Sequence, residues 1–377
     1  MRKFPRQNRP WVLLNPGPVN VTERVRRALL EPDICHREEE FSSLLGGVRQ
    51  KILRLFGISR THTVAIFSGS GTTALEAMLS SFAKENKTIL VLSNGVYGDR
   101  IKTILEVHDT PVQVLAAGPG EFPDLAKVET TLRANPSIHA IAMVHHETST
   151  GMLNPVAAVG RLAKKYGKSF LVDAVSSLGA EKLDFKNWSV GLCAGTSGKC
   201  LHGFPGVSFV IISKKEAARL KDRRSRTLYL DLRHVLECEE KGDTPFTPAV
   251  QIFYAFDRAL DELKEEGLAR RIGRYAEKNA LLEDGFARLG LSFLVEKKFR
   301  SHVLTALWMP PALSYDKLHD ELKKAGFVIY AGQSELKGRI FRISNLGDIR
   351  TRDLKRFLTR LKRILGSGAK RPSPRLL

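Results

Sequence analysis

From Thr63 onward the sequence alternates short apolar runs with segments of helical periodicity, and nothing else in the chain restricts its fold as strongly. The runs TVAIF, TILVLS, PVQVLAA, HAIAMV, SFLVD and GVSFVIIS are apolar almost throughout rather than at every second position, as strands buried on both faces require. Between several of them, IKTILEVHD, LAKVETTLRAN and PVAAVGRLAKKYG carry helical spacing. Strand and helix in turn predict a mostly parallel sheet covered by helices. Ligands of such sheets collect at the carboxyl ends of the strands. Four polar clusters stand at those ends: Ser68 to Thr72, Asn94 to Arg100, His145 to Gly151 and Asp173 to Ser177. Their common placement predicts one site.

The N-terminal part adds a turn, Asn15-Pro16-Gly17-Pro18, and then a helix with Thr22 as its N-cap. Phe41, Leu44, Leu45, Val48, Ile52, Leu53 and Phe56 predict a second helix. Its charged opening, His36 to Glu40, reads either as a solvated helix start or as a loop facing a site. TVAIF runs into a Gly/Ser turn that opens a helix near Thr72. Such a junction offers free N–H groups and a positive dipole end to a phosphate, and reads equally as a plain tight turn. It is neither a Walker loop nor a full GxGxxG. Further on, Lys221 to Thr247 reads as irregular, and a long helix is expected from Ala249 to about Leu289 with a break near Gly267. LSFLV, HVLTALWM and GRIFRIS read as strands and YDKLHDELKKAG and TRDLKRFLTRLKRIL as helices of a smaller α/β domain.

Sixty Lys and Arg against forty Asp and Glu give 377 residues a net charge of +20, which attracts anions of every kind. The charge is spread along the chain apart from KDRRSR and the tail KRPSPR, and no helix-turn-helix, zinc finger or aromatic RNA-binding motif accompanies it. Solubility and steering of anionic substrates are therefore preferred over nucleic-acid binding. No apolar run approaches the ~18 residues of a membrane span, and WVLL is too short for a signal-peptide core of ~7–15 residues, so a cytoplasmic location is expected. Cys35, Cys193, Cys200 and Cys238 form no CxxC pair, which predicts neither a metal site nor a disulfide framework. Cys200 reads as a small buried hydrophobe rather than a nucleophile.

Asp173 closes SFLV, and Lys199 follows 26 residues later in the small-residue segment AGTSGK. A carboxylate at the end of a buried strand and a lysine among small residues suit pyridoxal 5'-phosphate chemistry. The lysine forms the Schiff base and the carboxylate pairs with the pyridinium nitrogen. Alone, the pair is a weak signal and reads more readily as a capping aspartate and a solvated lysine; its company of strand-end clusters raises the first reading.

Taken together and in this order, NPGP, SGSGTTALEAML, SNGVYGDR, HHETSTGMLNP, LVDAVSSLGA, SGKCLHGFPGVSFV and FRISNLGD resemble the class V aminotransferases over about the first 350 residues. Within that family HETSTGMLNPV, VDAVSSLGA and KCLHGFPG are most similar to the 2-aminoethylphosphonate:pyruvate transaminases, with alanine:glyoxylate and serine:pyruvate aminotransferases as near relatives. The resemblance implies an α/β, aspartate-aminotransferase-like fold (fold type I), with a mostly parallel seven-stranded sheet in a large domain and a smaller C-terminal α/β domain. The expected bounds are 1–20 for an N-terminal segment joining the small domain and the active site, 21–265 for the large domain, 266–365 for the small one and 366–377 for a disordered basic tail. It also implies pyridoxal 5'-phosphate, a small anionic amino donor, a 2-oxo acid acceptor and a homodimer with sites at the interface.

Residue by residue, the resemblance makes Lys199 the Schiff-base lysine and Asp173 the pyridinium partner. Tyr97 stacks on the ring, Ser70, Gly71 and Thr72 bind the phosphate, and Thr148 lies near the ring O3'. Gly17 and Arg342 bind substrate, Arg342 through its carboxylate, and Thr247 reaches the phosphate of the neighbouring subunit. His36 and Arg37 add donors to a phosphonate if their loop folds over the site. Gly198 departs from the Asn or Gln usual before the lysine, which puts a polar contact near the phosphate in doubt. The competing reading of another class is a basic nucleic-acid-binding or regulatory protein on an inactive transaminase scaffold.

Overall fold

A computed structural model describes residues 11–368 except 222, 224 and 312. The central sheet is built from β1 (His62–Gly69), β2 (Thr88–Ser93), β3 (Val112–Ala116), β4 (Ile138–Val144), β5 (Ser169–Asp173), β6 (Leu192–Thr196) and β7 (Gly206–Ser213), in the order β1-β7-β6-β5-β4-β2-β3. β7 runs antiparallel to both its neighbours, and the other pairs are parallel. The exception has a simple cause. Only residues 197–205 join β6 to β7, too few for the dozen or so residues of a helical crossover. The chain must therefore turn straight back, and Lys199 lies in that turn.

Successive side chains of each strand point to opposite faces, so every strand feeds two cores. On β5, Phe170 and Val172 join the face covered by α1 (Glu39–Leu55), which buries Phe41, Leu45, Val48 and Ile52 at helical spacing. Leu171 joins the face covered by α2 (Gly71–Phe82) and α3 (Val96–Val107). Burying each such side chain contributes roughly 1.5–3 kcal/mol. α4 (Leu125–Ala134) and α5 (Val156–Lys165) complete the first layer.

α6 (Val250–Glu266) also packs on the first face, and at Gly267 it gives way to α7 (Leu268–Arg288), the break read from the sequence. A separate core follows, formed by α7, β8 (Leu304–Trp308), α8 (Tyr315–Lys324), residues 327–329 just before β9 (Tyr330–Ala331), β10 (Ile340–Ser344) and α9 (Thr351–Gly368). β10 is the middle strand of a three-stranded sheet, β8-β10-β9. Val12–Leu13 pairs in parallel with Phe327–Val328, which carries the Asn15-Pro16-Gly17-Pro18 turn from this second core towards the central sheet.

Three details differ from expectation. The stretch read as irregular contains a helix, Leu232–Glu239, whose N-cap Asp231 accepts from Arg233 N and His234 N. LSFLV forms no strand, only a single bridge between Phe293 and Leu307. The expected tail, 366–377, begins inside α9, and residues 369–377 lie outside the described ones, as do residues 1–10 of the basic leader. Among the described residues no helix is long and apolar enough to cross a membrane.

Candidate active site

Asp173 ends β5 between β4 and β6 and is almost entirely buried. Burial pushes its carboxyl up to about 6, opposed by the Val175 N–H, which donates to Oδ1 at 2.9 Å, and by the charges of Arg100 and Lys199. Lys199 stands in the turn beyond β6. Burial lowers its amine to about 8, helped by Arg342 and Arg100 and opposed by Cys200 and Asp173. Its Nζ donates to the carbonyl of Pro16. The neighbouring Gly17 has φ +119°, and a Cβ there would lie 2.6 Å from Lys199 Nζ, so only glycine lets the turn approach the lysine this closely.

α2 starts beside this pair. Ser70, its exposed N-cap residue, does not cap it with its side chain, so among the described residues the first-turn N–H groups of Gly71 and Thr72 have no side-chain acceptor. Such a helix start attracts an anion. At Gly71 a Cβ would meet Val175 Cγ1 at 2.6 Å, which ties the helix start to the segment just after Asp173. Thr72 Oγ1 accepts from Arg100 Nη1 at 3.2 Å, and the Arg100 guanidinium lies 4.6 Å above the Tyr97 ring. Tyr97 and Arg100 are three residues apart on α3, hence on one face.

Glu147 holds the start of α3. Its fully buried carboxylate accepts from the N–H groups of Tyr97 and Gly98, both at 3.1 Å, and from Ser149 N and Oγ. Burial raises its proton affinity and these four donors pull it back. A negative group at a helix N-terminus is favourable, and here it fixes the position of the Tyr97 backbone. One residue on, the Thr148 carbonyl accepts from Arg342 Nη1 at 2.9 Å. Arg342, on β10, is also buried; it donates Nε to Ala331 O at 2.8 Å and Nη1 to Gln333 Oε1 at 3.1 Å. Among the described residues it has no ion pair, and Nη2 has no hydrogen-bond partner.

Contacts thus tie Gly71 to Asp173 through Val175, Thr72 to Tyr97 through Arg100, Thr148 to Arg342, and Gly17 to Lys199, and the charges of Asp173, Arg100 and Arg342 act on Lys199. Thr247 is not part of these contacts: it is exposed, in a segment tied to Ser68 through Ala249 N at 2.9 Å. Arg37 is exposed too and pairs with Asp243 at 2.6 Å, not with the lysine's surroundings. Cys200 is buried, burial pushes its thiol up, and it donates to Ser176 O, which removes it as a nucleophile. Gly198 has a packing reason: a Cβ would sit 2.9 Å from the Pro205 backbone, so a larger residue requires that loop to move. Sequence reading passed over Arg100 and Glu147 although both lie in strand-end clusters; the i, i+3 spacing from Tyr97 was the available signal for Arg100.

A buried lysine and carboxylate with proton affinities drawn towards neutrality, an uncapped helix start and an unpaired arginine equip a site for proton transfer on an anionic substrate. The aminotransferase class-V family profile matches residues 26–338. The chain belongs to the class-V aminotransferase family. This aminotransferase is 35% identical over 361 residues to a protein of Salmonella paratyphi B named 2-aminoethylphosphonate–pyruvate transaminase, covering 94% of this chain and 98% of that one. A Vibrio cholerae protein of the same name is 34% identical, covering 93% and 97%. Among solved structures, alanine–glyoxylate aminotransferase from Nostoc matches with a TM-score of 0.90 at 26% identity, covering 97% of this chain and 98% of that one. An aspartate aminotransferase of subgroup IV from Thermus thermophilus gives 0.86 at 28%, covering 94% and 99%. The fold is that of the aspartate-aminotransferase group, as the motifs implied. The enzyme accordingly transfers an amino group from a donor to a 2-oxo acid.

Proposed function

We propose that this aminotransferase uses pyridoxal 5'-phosphate to move the amino group of 2-aminoethylphosphonate to pyruvate, giving phosphonoacetaldehyde and alanine. The observation that carries this reading is the buried Arg342: a guanidinium held by three acceptors, with one edge unpaired, calls for an anion. Its fork suits both the pyruvate carboxylate and a phosphonate. The relatives of the same name across more than nine tenths of the chain support the phosphonate donor.

The residues present fit the cofactor: Gly17 and Gly71 stand where any Cβ would fill the space against Lys199 and Val175. When bound, pyridoxal phosphate supplies the carbonyl that takes up the amino group and a ring that accepts the electron pair released at the donor carbon. Lys199 holds the cofactor and, with an amine near 8, is unprotonated often enough at neutral pH to take the donor-carbon proton and return it. Asp173 holds the proton on the ring nitrogen. Tyr97 covers a ring face, the N–H groups of Gly71 and Thr72 with the Ser70 hydroxyl hold the phosphate, and Thr148 orients the ring hydroxyl. Arg100, hydrogen-bonded to Thr72, adds a positive charge at the phosphate end. The exposed Thr247 fits a role in a second subunit's site, in a homodimer. Four free cysteines suit a reducing, cytoplasmic setting.

A donor screen tests the proposal, with pyridoxal phosphate present, pyruvate as acceptor, and 2-aminoethylphosphonate, serine and taurine as donors. Alanine formed only from the phosphonate is expected. The likeness to the Nostoc enzyme favours alanine:glyoxylate transfer as the second reading. An inert phosphonate together with rapid amino transfer from alanine to glyoxylate selects it.

A further inference from the structure

The amino end of the central sheet carries a second concentration of charge. A cleft of about 1230 Å³ opens there, at Ile138 and Ser169, the first residues of β4 and β5. Six cations line it, Lys84, Lys87, Lys168, Arg219, Arg223 and Arg226, against the carboxylates of Glu85 and Asp109. They come from separate segments and converge on one concavity. Among the described residues only Arg219 of the six is ion-paired, to Glu216 at 2.9 Å.

The remaining charges are aimed but not neutralised. Lys168 Nζ donates to Ile138 O at 2.6 Å, Arg223 Nη1 to Ala83 O at 3.5 Å, and Arg226 Nη1 to the carbonyl of His108 and to Thr110 Oγ1 at 3.1 Å. Carbonyl partners fix a side chain's direction and leave its unit charge intact. The Arg223 guanidinium also lies 4.1 Å over the Phe82 ring, itself stacked on His139 with centroids 5.8 Å apart. This platform holds Arg223 in place before any ligand arrives. Burial, then the charges of Arg223 and Lys84, hold His139 below its usual pKa, so the wall between them is neutral.

We infer that this cleft is a binding site for a small polyanion carrying two or more phosphoryl groups. Converging lysines and arginine forks suit tetrahedral oxyanions. The surface is concave and near the ~300–1,000 Å³ of small-molecule pockets, which disfavours a flat lipid surface. The site is separate from the catalytic one. Ser169, whose Oγ accepts from Arg219 Nη1 at 3.0 Å, begins the strand that Asp173 ends, roughly 13 Å away at ~3.3 Å per residue.

The test uses the pyridoxal-phosphate-loaded enzyme, so that the cofactor's own phosphate cradle is filled, and isothermal titration calorimetry with tripolyphosphate and with ATP at low salt. Both are expected to bind the wild type, and the pair Lys84→Glu/Lys87→Glu, on the rim of the cleft, is expected to weaken both at least tenfold while transaminase activity persists. Arg350→Glu, in a different basic cleft, is expected to change neither affinity. ATP binding tenfold tighter than tripolyphosphate assigns a nucleotide, and equal affinities assign the phosphate chain itself. Absence of binding, equal affinity in wild type and Lys84→Glu/Lys87→Glu, or binding of a DNA duplex with neither small anion bound overturns the inference.

Discussion

At the carboxyl end of the central sheet Asp173, Glu147 and Arg342 are packed among neighbours that leave them almost no exposure, whereas at the amino end Lys84, Lys87, Lys168, Arg223 and Arg226 line an open cleft. Burial at the first end draws Asp173 up to about 6 and Lys199 down to about 8, both towards the pH at which protons must move. At the second end the lysines and arginines supply a field without a proton to exchange. The comparison separates two uses of charge on one scaffold. On the two readings proposed above, charges shielded from water and set against glycine-lined backbone do chemistry, and charges on the open cleft collect anions.

The largest effect expected from this contrast is at Lys199. Lys199→Ala lowers kcat by roughly 10³-fold or more, since no other amine takes over the proton transfer, while Lys84→Glu/Lys87→Glu changes kcat less than about twofold. Comparable losses at the two ends break the comparison. Next, Arg342→Ala removes a charged hydrogen-bond donor worth ~1.5–3 kcal/mol, so KM for pyruvate rises roughly 10- to 100-fold. Steady-state kinetics with pyruvate varied at saturating donor check this.

A smaller effect, on stability, sharpens the same contrast. Because the folded state raises the Asp173 carboxyl from 3.8 to about 6, the folded chain binds the proton more tightly than the unfolded one. Its contribution, on the order of 3 kcal/mol, is complete below about pH 4 and is lost as pH rises through about 6. The buried His145 and His146, held down to about 4, act in the opposite direction over this window, so the difference between proteins is the readout: Asp173→Asn is expected to gain denaturant resistance relative to the cofactor-free wild type as pH rises from 4 to 7. An identical slope in both proteins assigns the dependence to other groups. The smallest effect is at the exposed Arg37–Asp243 pair. Arg37→Ala changes stability by less than ~1 kcal/mol and alters the phosphonate and alanine reactions equally. Selective weakening of the phosphonate restores Arg37 to the site.

Much of the architecture was legible because its signals are local. Apolar runs such as SFLVD and the polar clusters that end them announce a sheet and the end of it that carries the site. Asp173 and Lys199 stood out for the same reason, one at a strand end and one among small residues. The Leu232–Glu239 helix was not legible, because its buried face includes the charged Glu239, whose Oε1 accepts from Ile66 N at 3.0 Å. Arg100 and Glu147 were missed because an arginine on a helix and a glutamate in a polar stretch ordinarily face water. Only the tertiary arrangement shows that Glu147 is enclosed by the start of α3. The packing of Pro205 against Gly198 is likewise a contact between neighbours in space that no spacing announces.

The most direct test of the account is to incubate the cofactor-free protein with one equivalent of pyridoxal phosphate, reduce with borohydride and map the modified lysine by mass spectrometry across a pH series. The prediction is a single labelled residue, Lys199, with a labelling rate that rises through a midpoint near pH 8. Labelling spread over Lys84, Lys87 and Lys168 with Lys199 unmodified would contradict it, because the carboxyl end of the sheet would then not be where the cofactor is held.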